Sequence, residues 1–169
     1  MRGNQTLDSM PPVECTIVEV CIFKRTIKGP KFLMLKRSLT EELYPGMWQI
    51  LTGKIKQSEK ATHAALRELR EETGLAAHRF WVAPIVGSFF DPRENSVQLC
   101  PLFAAEVGSA DVPVLSIEHD EYEWASAAKA RKLLVWPGHL DAVQIVENYI
   151  VANREAASLT EIKQFEKGT

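Results

Sequence analysis

Apolar residues run nearly unbroken from Val13 to Phe23, as Val-Glu-Cys-Thr-Ile-Val-Glu-Val-Cys-Ile-Phe, and this β-branched stretch predicts a central strand. Residues 24–31, which contain Gly29-Pro30, predict a connection. Phe32-Leu33-Met34-Leu35 predicts a second strand ending in Lys36-Arg37, and 38–46 predicts a loop before a short strand over Trp48–Thr52. The pattern then becomes helical, with Glu59 opening the helix and Gly74 stopping it. Two further strands, Phe80–Phe90 and Ser96–Val107, flank the turn formers Asp91-Pro92-Arg93-Glu94-Asn95 and predict a hairpin. Tyr122 and Trp124 alternate as on a strand after an acidic stretch from Ile117, and Ala125–Leu134 reads as a short helix. Past the break at Pro137-Gly138, Leu140, Val143, Ile145, Val146 and Ile150 form the core stripe of a longer helix. Residues 1–12 read as a polar N-terminal tail, 13–152 as one folded domain, and 153–169 as a polar tail or helix extension.

A chain of 169 residues has length for a single good core, and its 46% apolar and 25% charged residues are ordinary for a soluble globule. A formal net charge of −2 argues against a partner that is a nucleic-acid polymer, so any anionic substrate must be met by local charge or by metal. No apolar run approaches membrane-spanning length and no signal-peptide pattern opens the chain, so no membrane partner and a cytoplasmic location are expected. Cys15, Cys21 and Cys100 are an odd set without a Cys-x-x-Cys pair, and each lies among strand-like apolar residues. They read as buried free thiols.

The chemistry concentrates between Gly53 and Leu75. Glu68, Glu71 and Glu72 fall at i, i+3 and i+4, on one face of the predicted helix, where bare carboxylates repel one another. Arg67, Arg70 and Lys60 lie near enough to make this a plain solvated face. The flanks change that reading. Gly53, Glu59, Arg67-Glu68, Glu71-Glu72 and Gly74-Leu75 complete the pattern G-x5-E-x7-R-E-U-x-E-E-x-G-U, where U is aliphatic, with every specified position filled. At average residue frequencies that match arises by chance on the order of once in ten million chains.

That pattern resembles the signature of the Nudix hydrolases. The resemblance implies an α/β (α+β) fold, the Nudix α/β/α sandwich with a mixed β-sheet between helices. It also implies Mg²⁺, with Mn²⁺ able to substitute, held by Gly53, Glu68, Glu71 and Glu72, with Arg67 orienting a carboxylate and Glu59 supporting the loop. Hard cations of this kind take oxygen ligands and share them with substrate phosphates. The stretch Glu118-His119-x-x-Tyr122-x-Trp124 resembles a family loop that supplies one extra Glu as metal ligand or general base. Glu118 is the first candidate and Glu121 the second, with His119 as a hydrogen-bonding residue. Arg37 and Arg93 are each either solvated charges or phosphate-facing side chains, and Trp48 is either a core aromatic or a wall of the substrate pocket. Thr52 before Gly53, Lys56 and Ser58 depart from common family usage without falling on a specified position, although Lys56 bears on metal number and phosphate placement.

The implied activity is hydrolysis of a diphosphate bond in a small nucleoside-diphosphate-linked or nucleoside-triphosphate-like substrate, releasing a monophosphate and pyrophosphate. Dihydroneopterin triphosphate is an alternative substrate, carried by resemblance of Leu33-Met34-Leu35-x-Arg37, Trp48-Gln49-x-x-Thr52-Gly53 and the Glu118 loop. Dinucleoside polyphosphates and ADP-ribose are others. A non-catalytic nucleotide-sensing domain is the rival of another class, and a homodimer remains open.

Overall fold

A computed structural model describes residues 10–165; most of the expected N-terminal tail and the last four residues lie outside them. The run from Val13 is divided into β1 (Val13–Glu14) and β2 (Ile17–Thr26), because Val13 and Glu14 pair with Val97 and Gln98 while β2 continues beside the later part of the same strand. Cys15 falls in the gap and is exposed, contrary to its expected burial; Cys21 and Cys100 are buried.

The expected connection over 24–31 is instead a tight hairpin. Lys24, Arg25 and Thr26 pair with Lys31, Pro30 and Gly29 of β3 (Gly29–Arg37), leaving Ile27 and Lys28 as the turn. Gly29 adopts φ +100°, which a side chain would resist, and the Thr26 hydroxyl donates to the Gly29 carbonyl. Past this hairpin β2 and β3 part. β2 pairs with β5 (Leu51–Lys54) through Ile17–Val20, and β3 pairs with β4 (Trp48–Gln49) through Leu35 and Lys36, so the 48–54 segment occupies the space between them.

β6 (Arg79–Asp91) and β7 (Ser96–Glu106) form the expected long hairpin, and β8 (His119–Ala125) pairs with the other edge of β3. The β1–β7 and β2–β7 pairs are parallel and the rest antiparallel, a mixed sheet. Helix α1 (Ala61–Thr73) covers one face through Ala64, Ala65 and Leu69 against Val18, Val20, Ile22, Leu33 and Leu35. Helices α2 (Ala127–Leu133) and α3 (Pro137–Ile145) cover the other, where Cys21, Phe23, Phe32, Met34 and Trp81 form the core. The chain is thus an α/β/α sandwich. Strand alternation decides which residue faces which layer: Val18 and Val20 face α1, whereas Cys21 and Phe23 face α3.

Pro137 is the first residue of α3, its fixed φ suited to a helix start, and the helix passes into a π-helical turn over Val146–Val151. Of the expected stripe, Val143, Val146 and Ile150 are buried, while Leu140 and Ile145 are partly so. The C-terminal stretch forms α4 (Arg154–Thr160) and returns to the sheet. Glu161 bridges to Trp81, the Ile162 amide donates to the Phe80 carbonyl, and the Phe165 ring lies tilted against Phe80 with centroids 5.7 Å apart.

Candidate active site

Helix α1 begins at Ala61, and Glu59 therefore lies in the preceding loop rather than opening the helix. Its carboxylate accepts from the Lys56 amide at 2.9 Å and from Arg67 through both oxygens at 2.8 and 2.9 Å. Those bonds, Arg67 first, hold the Glu59 carboxyl down at about 2. Arg67 also donates to Glu68 and Glu71, each at 2.8 Å, and to the Lys54 carbonyl at 2.8 Å. One guanidinium so ties the loop, the strand end and two of the helix carboxylates together, and its own proton is held more tightly by these partners, Glu59 foremost. Gly74 closes the helix in the left-handed region, φ +65°, its amide donating to the Arg70 carbonyl.

Gly53 reaches this cluster from β5. A Cβ there would stand 2.1 Å from Glu68 Cγ, so only glycine admits the Glu68 side chain against the strand. Glu71 points outward, half exposed, with Lys56 Nζ 3.8 Å away.

Glu72 turns the opposite way, toward the loop before β8. It is buried, and its carboxylate accepts from the Ser116 hydroxyl at 2.5 Å and faces His119 Nδ1 at 3.2 Å, in poor alignment for a hydrogen bond. Burial opposes its charge, yet His119 and Ser116 together outweigh burial and hold its carboxyl below the usual range. The Gln49 amide nitrogen meets His119 Nε2 at 3.3 Å, which leaves the imidazole proton on Nδ1, toward Glu72.

Glu118 enters from that same loop. The register of β8 on β3 shifts at Lys36/Arg37, and the bulged Asp120 accepts from the Leu39 amide at 3.0 Å while the Glu118 carbonyl accepts from the Ser38 amide at 2.8 Å. Burial pushes the Glu118 carboxyl up, with Glu72 and Glu41 adding to it. Glu118, Glu68, Gly53 and Arg37 line one cavity of about 540 Å³, which also reaches Ile17 and Thr52. A cavity of similar size between α4 and β6 is walled by Pro84, Ile150 and Leu159 and carries none of these groups.

The remaining expectations divide. Arg37 lines the cavity but is already engaged by Glu41 at 2.6 Å and the Leu43 carbonyl at 2.7 Å. Trp48 packs on the α3-face core. Arg93 pairs with Asp91 at 3.0 Å at the β6–β7 tip and does not line the cavity, and Glu121 is taken by Lys36 at 2.6 Å. Ser116, Asp120 and Glu41 were not singled out by sequence reasoning, and Gln49 entered only as part of the Trp48-Gln49 motif, without a role. Only Glu41, four residues after Arg37, carries a local signal.

The donors of this region suit a hard divalent cation: Glu68, Glu71, Glu118 and the Gly53 backbone offer oxygen alone, and the absence of a Cβ at Gly53 lets Glu68 lie against that backbone. Among the described residues no three acidic, His or Cys side chains converge into a ready ligand set, because Arg67 holds Glu68 and Glu71 and Ser116 holds Glu72.

The model of the NUDIX domain matches residues 16–148. An octanoyltransferase from Myxococcus xanthus is 30% identical over 83% of this chain, and the chain spans 38% of that relative's length. Among solved structures, a Nudix hydrolase from Listeria monocytogenes is 25% identical at TM-score 0.70, over 83% of this chain and 97% of that one. The Escherichia coli dihydroneopterin triphosphate pyrophosphohydrolase shares the fold at TM-score 0.65 and 24% identity, over 82% of this chain and 97% of that one.

Proposed function

From the premise that the chain belongs to the Nudix family, we propose that it hydrolyses a diphosphate bond in a small nucleoside-polyphosphate-like molecule, releasing a monophosphate and pyrophosphate from a triphosphate. The observation that carries this reading is the meeting of Glu68, Gly53 and Glu118 in one cavity, with Arg37 on its wall. Gly53, Glu68, Glu71, Glu72 and Glu118 would hold Mg²⁺, or Mn²⁺ in its place. When bound, such a cation neutralises diphosphate oxygens and makes water more acidic.

The chain's own residues supply the rest. Glu118, its carboxyl raised by burial and by Glu72 and Glu41, takes the proton as water attacks phosphorus; the new P–O bond forms as the bridging P–O bond breaks and pyrophosphate leaves. Arg67 sets the direction of Glu68 and Glu71 rather than touching substrate. Glu41 and the Leu43 carbonyl fix the Arg37 fork at the cavity wall, which fits it to meet a phosphate oxygen. Ser116 and His119 hold Glu72 in its ionised form.

Product analysis with Mg²⁺ over nucleoside triphosphates, dihydroneopterin triphosphate, ADP-ribose and diadenosine polyphosphates tests the reading. Pyrophosphate from a triphosphate is the expected product. Ligand-induced thermal protection without turnover of any member would replace this reading with a nucleotide sensor.

A further inference from the structure

On the α3 face of the sheet, away from the α1 carboxylates, sits a second acid that the hydrolytic step does not use. Glu19 lies on β2 opposite Thr52 and Leu102, its side chain 12% exposed. Among the described residues its carboxylate accepts no hydrogen bond, and its nearest counter-group is His139 Nε2 at 3.6 Å. His139 comes from the first turn of α3, is 8% exposed, and its Nδ1 is buried with no hydrogen-bond partner among the described residues. The chain leaves its acceptors open.

Three features make this place a subsite rather than a buried pair. It is continuous with the candidate active site, because Ile17, two residues before Glu19 on the same face, and Thr52, its cross-strand partner, line the catalytic cavity. Gly87 on β6 sets no side chain against it: a Cβ there would stand 3.2 Å from Glu19 Oε2. Aromatic rings sit close along the chain to the two residues that meet it, Gly87 and His139. Phe89 lies two residues along β6 from Gly87 and is 46% exposed. Tyr44, from the loop that walls the cavity, packs edge-on against Trp136 just before α3, with centroids 4.9 Å apart. Rings carried near Gly87 and His139, together with a bare carboxylate, match a flat heterocycle that stacks by its face and is read by its N–H edge. Metal binding at this point lacks a ligand set, since no three candidate ligands converge among the described residues.

We propose that Glu19, placed by His139, reads the base of the substrate, and that this base carries a ring N–H beside an exocyclic amino group, the 2-amino-oxo edge shared by guanine and the pterins. Two acceptor oxygens match two adjacent donors. Adenine offers one donor beside an acceptor, and uracil flanks its one donor with acceptors, so each would set a lone pair against the carboxylate. The assignment rests on the phosphohydrolase reading above and names its substrate class.

The test compares kcat/KM for guanosine, inosine and adenosine triphosphates and dihydroneopterin triphosphate in wild type, E19Q and G87A. Inosine lacks only the amino group. Wild type is expected to prefer an amino-bearing substrate over inosine triphosphate by about tenfold or more, and E19Q to erase that preference. The guanosine-to-dihydroneopterin ratio then tells which ring is meant. G87A, which crowds Glu19 without touching its charge, should raise KM for the preferred substrate with kcat kept, and it reads the same contact should E19Q not fold. Equal turnover of all triphosphates by wild type, or a uniform loss in E19Q, would overturn the assignment while leaving the hydrolase reading intact. If no triphosphate is turned over, calorimetry with guanosine and inosine diphosphates separates the two: amino-dependent binding lost in E19Q keeps Glu19 as a base reader without hydrolysis, and equal binding removes it.

Discussion

The two faces of the sheet treat their carboxylates in opposite ways. On the α1 face Glu59, Glu68 and Glu71 are all bonded by Arg67, and Glu72 by Ser116. On the α3 face, among the described residues, Glu19 receives no hydrogen bond, and the closest group that could neutralise it is His139, 3.6 Å away. The first arrangement satisfies itself and holds its acids ready. The second is left incomplete, which is what a contact reserved for something outside the chain looks like. Stability and recognition are thus separated across one layer of strands.

The sharpest way to break this contrast is R67A. It frees three carboxylates at once, and we expect a loss of about 2–4 kcal/mol in urea unfolding together with at least about a hundredfold lower kcat/KM. On the other face, E19Q should unfold within about 1 kcal/mol of wild type or be slightly more stable, because it removes a buried charge without removing a hydrogen bond. A large destabilisation by E19Q would make Glu19–His139 a structural pair and erase the contrast.

G53A tests how closely the α1 face is fitted. The added methyl meets Glu68 Cγ, so we expect about 1–3 kcal/mol of destabilisation and a kcat/KM lower by tenfold or more. The pH dependence is gentler. Glu59 has its carboxyl lowered from 4.5 to about 2. Its folded-state pKa is depressed, so its contribution is complete above about 4.5 and is lost as pH falls toward 2. The melting-temperature gap between wild type and E59Q should therefore be full at pH 6 and shrink between pH 4.5 and 2; a constant gap would mean that the Arg67–Glu59 pair does not carry it. The smallest effect concerns the cysteines. Burial pushes the Cys100 thiol up to about 12, Glu19 adding to it, and Cys21 is raised likewise, so a thiol reagent should label one site per native chain, Cys15, and three after unfolding.

Much of the α1 face was legible in the chain because its determinants are local. Arg67 and Glu71 are one helical turn apart, Gly74 caps the same helix, and the sheet strands read from their apolar runs. Cys15 misled because an apolar run does not reveal where a strand changes partners, and Glu59 misled because loop and helix start share the same polar residues. The C-terminal stretch reads as polar, yet Ile162 and Phe165 dock on Phe80 and its neighbours.

By itself the sequence determined the family and the capped helix with its acids. Periodicity and spacing act over a few residues, and a short pattern can hold them. Only the tertiary structure decided that Glu72 meets Ser116 44 residues on, that Glu118 rather than Glu121 reaches the cavity, and that Glu19 faces His139 across 120 positions. Such pairs depend on strand register, a bulge at Asp120 and the docking of α3, which sum contributions from the whole chain.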